Sequence, residues 1–109
     1  MRFATVCYNF AVTTQSVKTK ARAEIIVRGI VQGVNFRWYT QRRAAELNVT
    51  GYVQNMPDGS VSVIVEGDRS EIQTLVDALR IGPSAAVVES VQVDWHAPSG
   101  EFDRFEIRS

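Results

Sequence analysis

The chain has 109 residues, of which 45% are hydrophobic and 22% are charged, and these values predict one globular domain with a single core. Twelve Lys and Arg residues balance twelve Asp and Glu residues. The resulting formal net charge of zero argues against a protein that coats nucleic acid or an anionic membrane, because such partners usually select an excess of positive charge. A small local anion site remains compatible with this balance.

Cysteine and histidine are scarce. Cys7 is the one cysteine and His96 the one histidine, so the sequence contains neither an internal disulfide nor a Cys/His metal cluster. No apolar run approaches the roughly 20 residues that a membrane span needs. We therefore predict a protein of the reducing cytoplasm with no membrane partner.

The first 20 residues differ in composition from the remainder. "MRFATVCYNFAV" is apolar and β-prone, whereas "TTQSVKTK" is polar and typical of a loop. A secretory signal is disfavoured because the apolar run lacks a good Ala-x-Ala cleavage site. We predict that residues 1–20 form an N-terminal extension, either flexible or paired as an edge segment, and that residues 21–109 form the domain.

From residue 21 onward, the hydrophobic periodicity predicts two helices and five strands, the last one short. The strands are expected at 22–28, 50–55, 60–66, 86–95 and 102–108, and the helices at 36–47 and 69–81. Asn48 is typical of a left-handed residue that follows a helix, and Asp68 with Glu71 is typical of a capping box that precedes one. Gly82 and Pro83 are stop signals for the second helix.

The order of these elements is β-α-β-β-α-β followed by the short final strand. Two βα units that meet through a central hairpin are the pattern of the split βαβ, ferredoxin-like fold. We predict an α+β sandwich in which both helices cover one face of an antiparallel sheet of four to five strands.

The loop from Gly29 to Asn35 joins the first strand to the first helix. Such a loop brings backbone N–H groups to a helix N-terminus, where they have no intrahelical partner and the helix dipole adds partial positive charge. Glycines allow the backbone to curl around an anion, and Arg37 adds a planar fork of donors that suits phosphate oxygens. The alternative is a tight turn followed by an exposed arginine, because short glycine motifs are weak signals.

Asn55 ends the second strand just before the turn signal "MPDG". In the predicted fold this strand returns across the sheet, so Asn55 can lie near the loop. Its amide does not titrate and therefore cannot act as a general base, but it can hold a water molecule in a fixed direction. The alternative is a plain turn-forming residue.

Neighbours of Arg37 are further candidates for lining a site. Trp38 and Tyr39 follow it directly, although packing of one of them against the sheet is the plainer expectation. Arg42 and Arg43 are typical of solvated helix charges that draw anions toward a site.

Two segments together resemble the signature motifs of the acylphosphatase family. The first, "VRGIVQGVNFR" at 27–37, matches hydrophobic-x-Gly-x-Val-Gln-Gly-Val-x-Phe-Arg. The second, "GYVQNMPDGSVSVIVEG" at 51–67, matches Gly-aromatic-Val-Gln-Asn, three residues, Gly-x-Val, five residues and Gly. Motif order and predicted elements agree over residues 22–108, and the N-terminal extension is the departure from the family pattern.

The resemblance implies hydrolysis of an acyl phosphate, a carboxyl-phosphate anhydride, to carboxylate and inorganic phosphate. It implies that Arg37 and the loop amides bind the phosphoryl group and that Asn55 orients the attacking water. The loop residues concerned are Val31, Gln32, Gly33, Val34, Asn35 and Phe36. No metal or organic cofactor is expected. The expected partners are a small-molecule acyl phosphate and, as competing anions, inorganic phosphate or sulfate, bound by a monomer without nucleic acid.

Acyl phosphate hydrolysis also explains why the motif needs no catalytic acid or base. The leaving group is a carboxylate, which is stable without protonation, so a general acid contributes little. Phosphoryl transfer is usually loose, and what remains is alignment of the water and stabilisation of charge on the phosphoryl oxygens.

Other functions of the same fold remain as alternatives. An RNA-recognition-like module would need stacking aromatic residues on its central strands, and "EIIVRG" and "SVSVIVEG" have none. A metal-carrying ferredoxin-like domain would need a CxxC motif, which is absent. A non-catalytic module that keeps the anion site but has lost turnover is separable from an enzyme only by assay.

Overall fold

The computed structural model describes residues 19–109, which contain five strands and two helices. In chain order the elements are β1 (Lys20–Ile30), α1 (Phe36–Ala45), β2 (Thr50–Asn55), β3 (Val61–Asp68), α2 (Arg69–Ile81), β4 (Val87–His96) and β5 (Phe105–Arg108). The predicted order is confirmed. The predicted extension, residues 1–20, lies outside the described residues except for Thr19 and Lys20, and Lys20 begins β1. Within residues 19–109, neither helix is long and apolar enough to cross a membrane.

The five strands form one sheet in the order β4-β1-β3-β2-β5. The pairs β1/β3, β1/β4 and β2/β3 are antiparallel, so the ferredoxin-like α+β fold is confirmed. The sheet is mainly and not wholly antiparallel, because the edge strand β5 pairs with β2 in parallel. Because β4 runs antiparallel to β2, a chain that reverses after β4 and crosses to the opposite edge arrives parallel to β2.

The core lies between the two helices and one face of the sheet. Alternate residues of the strands point to this face, as their two-residue period requires, and Ile25 and Val53 both pair with Val63 across the ladders. The helices contribute the apolar residues that complete the core, namely Phe36, Ala44, Ile72, Leu75, Val76 and Leu79. All of these side chains are essentially inaccessible to solvent, and burial of each large one contributes about 1.5–3 kcal/mol.

Two predicted helix ends differ in the structure. Helix α1 ends at Ala45, and Asn48 is not left-handed, because Asn35 is the one non-glycine residue with positive φ among residues 19–109. The last turn closes instead through short-range backbone bonds such as Leu47 N–H to the Ala44 carbonyl at 3.0 Å.

The capping box predicted at the start of α2 does not form, because the Asp68 side chain makes no capping bond. Asp68 is also the last residue of β3, where it lies opposite Lys20 and pairs with its ammonium at 3.3 Å. The stop signal is confirmed at Gly82, which has φ 70° and donates its N–H to the Ala78 carbonyl at 3.0 Å.

A buried carboxylate on the opposite face of the sheet holds the segment between β4 and β5. Glu66 accepts hydrogen bonds from the backbone N–H groups of Ser99 and Gly100, both at 2.9 Å, and from the Ser99 hydroxyl at 2.8 Å. Arg22 on β1 donates a further bond at 2.8 Å. Burial raises the pKa of Glu66, but these donors outweigh it and hold the pKa at about 2.

Candidate functional site

A cavity of about 260 Å³ opens at the end of the sheet where β1 and β2 both finish. Val27 near the end of β1 and Asn55 at the end of β2 both pair with Val61, so the loop after β1 and the end of β2 are neighbours. The lining residues come from this loop, the start of α1, the end of β2 and β5: Val31, Gly33, Asn35, Phe36, Arg37, Trp38, Asn55 and Ile107. The structure therefore brings Arg37 and Asn55 to one cavity.

The loop reaches α1 through two left-handed residues. Gly33 has φ 77°, and Asn35, at the N-cap, has φ 66° and ψ 26°. A Cβ on Gly33 would meet nothing within 4 Å, so the backbone conformation, and not lack of space, favours glycine there. Left-handed residues within such a loop turn successive N–H groups toward one side, which makes a concave anion-binding surface.

The first turn of α1 adds free donors to this surface. The first intrahelical bond runs from the Tyr39 N–H to the Asn35 carbonyl at 2.9 Å, so the N–H groups of Phe36, Arg37 and Trp38 have no acceptor inside the helix. The Asn35 side chain does not cap them, and the first turn carries no acidic residue. The helix dipole then favours an anion at this end of α1.

Gln32 fastens the loop to the β2–β3 hairpin. Its Nε2 donates to the Met56 carbonyl at 2.8 Å and to the Ser60 carbonyl at 2.9 Å. Its side chain is therefore turned toward the hairpin, while Val34 packs against the core. Of the six predicted loop residues, the four that line the cavity are Val31, Gly33, Asn35 and Phe36.

A second contact, between Arg28 on β1 and Asp58, holds the same hairpin. Asp58 Oδ1 accepts from the Ser60 hydroxyl at 2.6 Å and from its N–H at 2.9 Å, and Asp58 Oδ2 lies 3.1 Å from Arg28 Nη1. The Ser60 hydroxyl, the Ser60 N–H and then Arg28 lower the pKa of Asp58 to about 2. The hairpin that carries Asn55 is thus tied to β1 and to the loop.

Asn55 is half-buried at the end of β2. Its carboxamide makes no hydrogen bond with any residue in the described part of the chain, 19–109. Both its acceptor oxygen and its two N–H donors are therefore available to a molecule in the cavity.

The Arg37 guanidinium is held by the last strand. Its Nη1 donates to the main-chain carbonyl of Arg108 at 2.9 Å. That end of β5 is fixed in turn, since the Arg108 guanidinium lies 3.8 Å over the Tyr52 ring and Gln54 Nε2 donates to the Ser109 carbonyl at 2.9 Å. No carboxylate of residues 19–109 forms an ion pair with Arg37, and four of the five guanidinium N–H groups remain for an anion.

The aromatic neighbours of Arg37 point in different directions. Tyr39 is half-buried and donates its hydroxyl to the Ala78 carbonyl of α2 at 2.9 Å. Trp38 is 54% exposed at the cavity, and the Arg42 guanidinium lies 4.9 Å over its ring. Arg42 is therefore stacked on an aromatic face and is not a purely solvated charge.

The contribution of β5 to the cavity was missed by the sequence analysis. Ile107 supplies an apolar wall and Arg108 supplies a main-chain oxygen, and neither function has a local sequence signal. In residues 19–109 there is no group of three or more His, Cys, Asp or Glu side chains that could hold a metal ion.

Known proteins match the chain over this whole region. The acylphosphatase family model matches residues 23–107. An acylphosphatase from Geotalea uraniireducens (strain Rf4) is 48% identical over 88 residues, which cover 81% of this chain and 97% of that protein. An acylphosphatase from Methanococcoides burtonii is 49% identical over 86 residues, which cover 79% of this chain and 90% of that protein. The crystal structure of acylphosphatase from Bacillus subtilis superposes with a TM-score of 0.79 at 32% identity, covering 82% of this chain and 99% of that one.

Proposed function

The chain belongs to the acylphosphatase family and hydrolyses acyl phosphates, and we propose that the loop after β1, Arg37 and Asn55 form its active site. The observation that carries this assignment is the shared cavity, where backbone N–H groups, the Arg37 guanidinium and the Asn55 carboxamide converge. Within residues 19–109, the guanidinium has no carboxylate partner and the carboxamide makes no hydrogen bond.

In the proposed complex, the phosphoryl group lies against the N-terminus of α1. The N–H groups of Phe36, Arg37 and Trp38 and those of the loop bind its oxygens. The Arg37 guanidinium binds them from the side that faces β5. These donors are fixed before the substrate arrives, so they stabilise charge that develops on the phosphoryl oxygens without further reorganisation.

Asn55 would hold the attacking water. Its oxygen accepts a hydrogen bond from the water and so directs a lone pair of the water toward phosphorus, which contributes to the rate through orientation and not through proton abstraction. The water oxygen forms a bond to phosphorus, the bond from phosphorus to the acyl oxygen breaks, and that bonding pair leaves on the carboxylate. The proton released by the water goes to a phosphate oxygen or to solvent.

We further propose that this reaction needs no metal ion or organic cofactor, and that inorganic phosphate and sulfate compete for the anion site. The protein that carries it out is a cytoplasmic monomer that binds no nucleic acid, with residues 21–109 as the catalytic domain and residues 1–20 as an extension. The free donors at α1 support anion competition, and the net charge of zero supports the lack of a nucleic-acid partner.

The test is hydrolysis of benzoyl phosphate by the purified chain, with and without a chelator and with inorganic phosphate or sulfate added. We expect turnover that resists the chelator and is inhibited competitively by both anions. Turnover that is insensitive to both anions would mean that the reaction does not take place at the proposed anion site. Turnover that the chelator abolishes would contradict metal independence. Size-exclusion chromatography tests the monomer, and titration with single-stranded RNA tests the lack of nucleic-acid binding.

A further inference from the structure

Two exposed apolar side chains line the candidate active site. Trp38 on α1 is 54% exposed and Ile107 on β5 is 39% exposed, and both line the cavity with Arg37 and Asn55. Single exposed apolar side chains are ordinary on protein surfaces. These two come from different elements and converge on one concave site, which is the arrangement expected of a ligand contact.

Both side chains are positioned by regular structure. Trp38 lies one helical turn before Arg42, whose guanidinium stacks 4.9 Å over the indole ring. Ile107 pairs with Val53 in the parallel ladder of β2 and β5. Contacts built on a helix and a strand are held more precisely than contacts built on loops.

The charges of the cavity limit the acyl groups that it suits. Among the lining residues in the described part of the chain, 19–109, Arg37 is the one charged residue, and in the proposed function it binds the phosphoryl group. Those residues therefore offer no second cation to an acyl group with its own carboxylate or phosphate, and Arg42, which stacks on Trp38, is not among them. An uncharged acyl group would lie against Trp38 and Ile107, the lining side chains that are both apolar and exposed.

We propose that Trp38 and Ile107 form the acyl-binding wall of this enzyme and favour acyl phosphates with uncharged aromatic or branched apolar acyl groups over acetyl phosphate. This inference rests on the proposed function of Arg37 and the loop. An indole ring offers a flat apolar face to another ring, and the gain grows with the apolar area that is removed from water. A methyl group presents little such area.

The test compares kcat/KM for benzoyl phosphate with kcat/KM for acetyl phosphate. Because the two substrates differ in intrinsic reactivity, the quantity of interest is the change in their ratio between variants. We expect Trp38→Ala to lower the benzoyl-to-acetyl ratio about tenfold and Ile107→Ala to lower it about threefold, in the range of lost apolar pocket contacts. Trp38→Phe keeps an aromatic face and should keep most of the ratio.

Ile81→Ala is the matched control for Ile107→Ala. Ile81 is 74% exposed at the end of α2 and does not line this cavity, so its truncation should leave the ratio unchanged. Circular dichroism shows whether each variant is folded.

A binding measurement complements the kinetics. Phenylphosphonate should inhibit the wild type more strongly than methylphosphonate does, and Trp38→Ala should reduce that difference. Equal losses of activity toward both substrates, or an unchanged preference between the two inhibitors, would overturn the acyl-binding wall while leaving the proposed function intact. A wild-type chain that hydrolyses neither acyl phosphate would instead overturn the proposed function, and this inference with it.

Discussion

Gln32 connects the phosphate-binding loop to the hairpin that carries Asn55, and removal of its amide should cost both stability and activity. Gln32→Met keeps an unbranched side chain of similar length but has no donor. The bonds to the Met56 and Ser60 carbonyls, at 2.8 and 2.9 Å, are then lost. Each carbonyl keeps one backbone donor, from Gly59 at 3.1 Å and from Met56 at 2.8 Å respectively, so neither acceptor is left unpaired. At about 0.5–1.5 kcal/mol for each lost bond, the free energy of unfolding should fall by about 1–3 kcal/mol.

Urea denaturation followed by circular dichroism measures this loss, and the dependence on urea concentration should be unchanged if the native surface is unchanged. Gln73→Met on α2 is a matched control. It removes one exposed bond from Gln73 to Asp77 at 3.1 Å and should cost about 0.2–0.5 kcal/mol. We also expect kcat/KM to fall in Gln32→Met and not in Gln73→Met, because only the first change leaves the loop and Asn55 free to move relative to each other. If Gln32→Met is as stable as Gln73→Met, the bonds of Gln32 do not stabilise the native state as argued.

Three further predictions concern the proposed site and the buried carboxylate. Arg37→Ala should lower kcat/KM for benzoyl phosphate by about 10²–10³-fold or more, and Arg37→Lys should restore little, because a point charge does not replace a planar fork of donors. Asn55→Ala should mainly lower kcat, whereas a change in KM alone would assign Asn55 to substrate binding. Glu66 has a native pKa of about 2 against an ordinary value of 4.5, so its contribution to stability is present above pH of about 4.5 and is lost as the pH falls through about 2. Urea denaturation between those pH values should show a shallower loss for Glu66→Gln than for the wild type.

Each of these predictions has an outcome that would contradict it. Near-normal turnover by Arg37→Ala would remove the guanidinium from the mechanism. An Asn55→Ala variant with unchanged kcat and KM would show that the Asn55 carboxamide takes no part in the mechanism. Identical pH dependence of unfolding for Glu66→Gln and the wild type would mean that other carboxylates account for the acid sensitivity.

The order of the elements could be predicted because the signals are local. Alternating apolar residues in β1 and β3 and the spacing of Ile72, Leu75 and Leu79 in α2 reflect the strand and helix periods directly. The return of β2 beside the loop follows from the ferredoxin-like order, so the proximity of Arg37 and Asn55 was also predictable.

Structural features that depend on which of several possible ion-pair or strand-pairing partners a residue takes were not predictable from the sequence. Asp68 has the sequence pattern of a helix cap, yet the cross-strand neighbour Lys20 pairs with it. The left-handed residue expected at Asn48 occurs instead at Asn35, where it shapes the loop. The parallel pairing of β5 depends on where the chain crosses the sheet, and a four-residue strand carries little information about its partner.

The partner of Arg37 on β5 is a peptide oxygen, which every amino acid possesses. Exchange of the side chain at position 108 would therefore leave the acceptor oxygen in place and remove only the stack of the Arg108 guanidinium on Tyr52, while the bond from Gln54 to the Ser109 carbonyl remains. A one-residue deletion between Phe102 and Phe105 would behave differently, because a slip of one residue along β2 turns the side chains of Phe105 and Ile107 to the opposite face of the sheet. Insertions and deletions ahead of β5, and not substitutions at position 108, are thus the changes that would remove the contribution of this strand to the cavity.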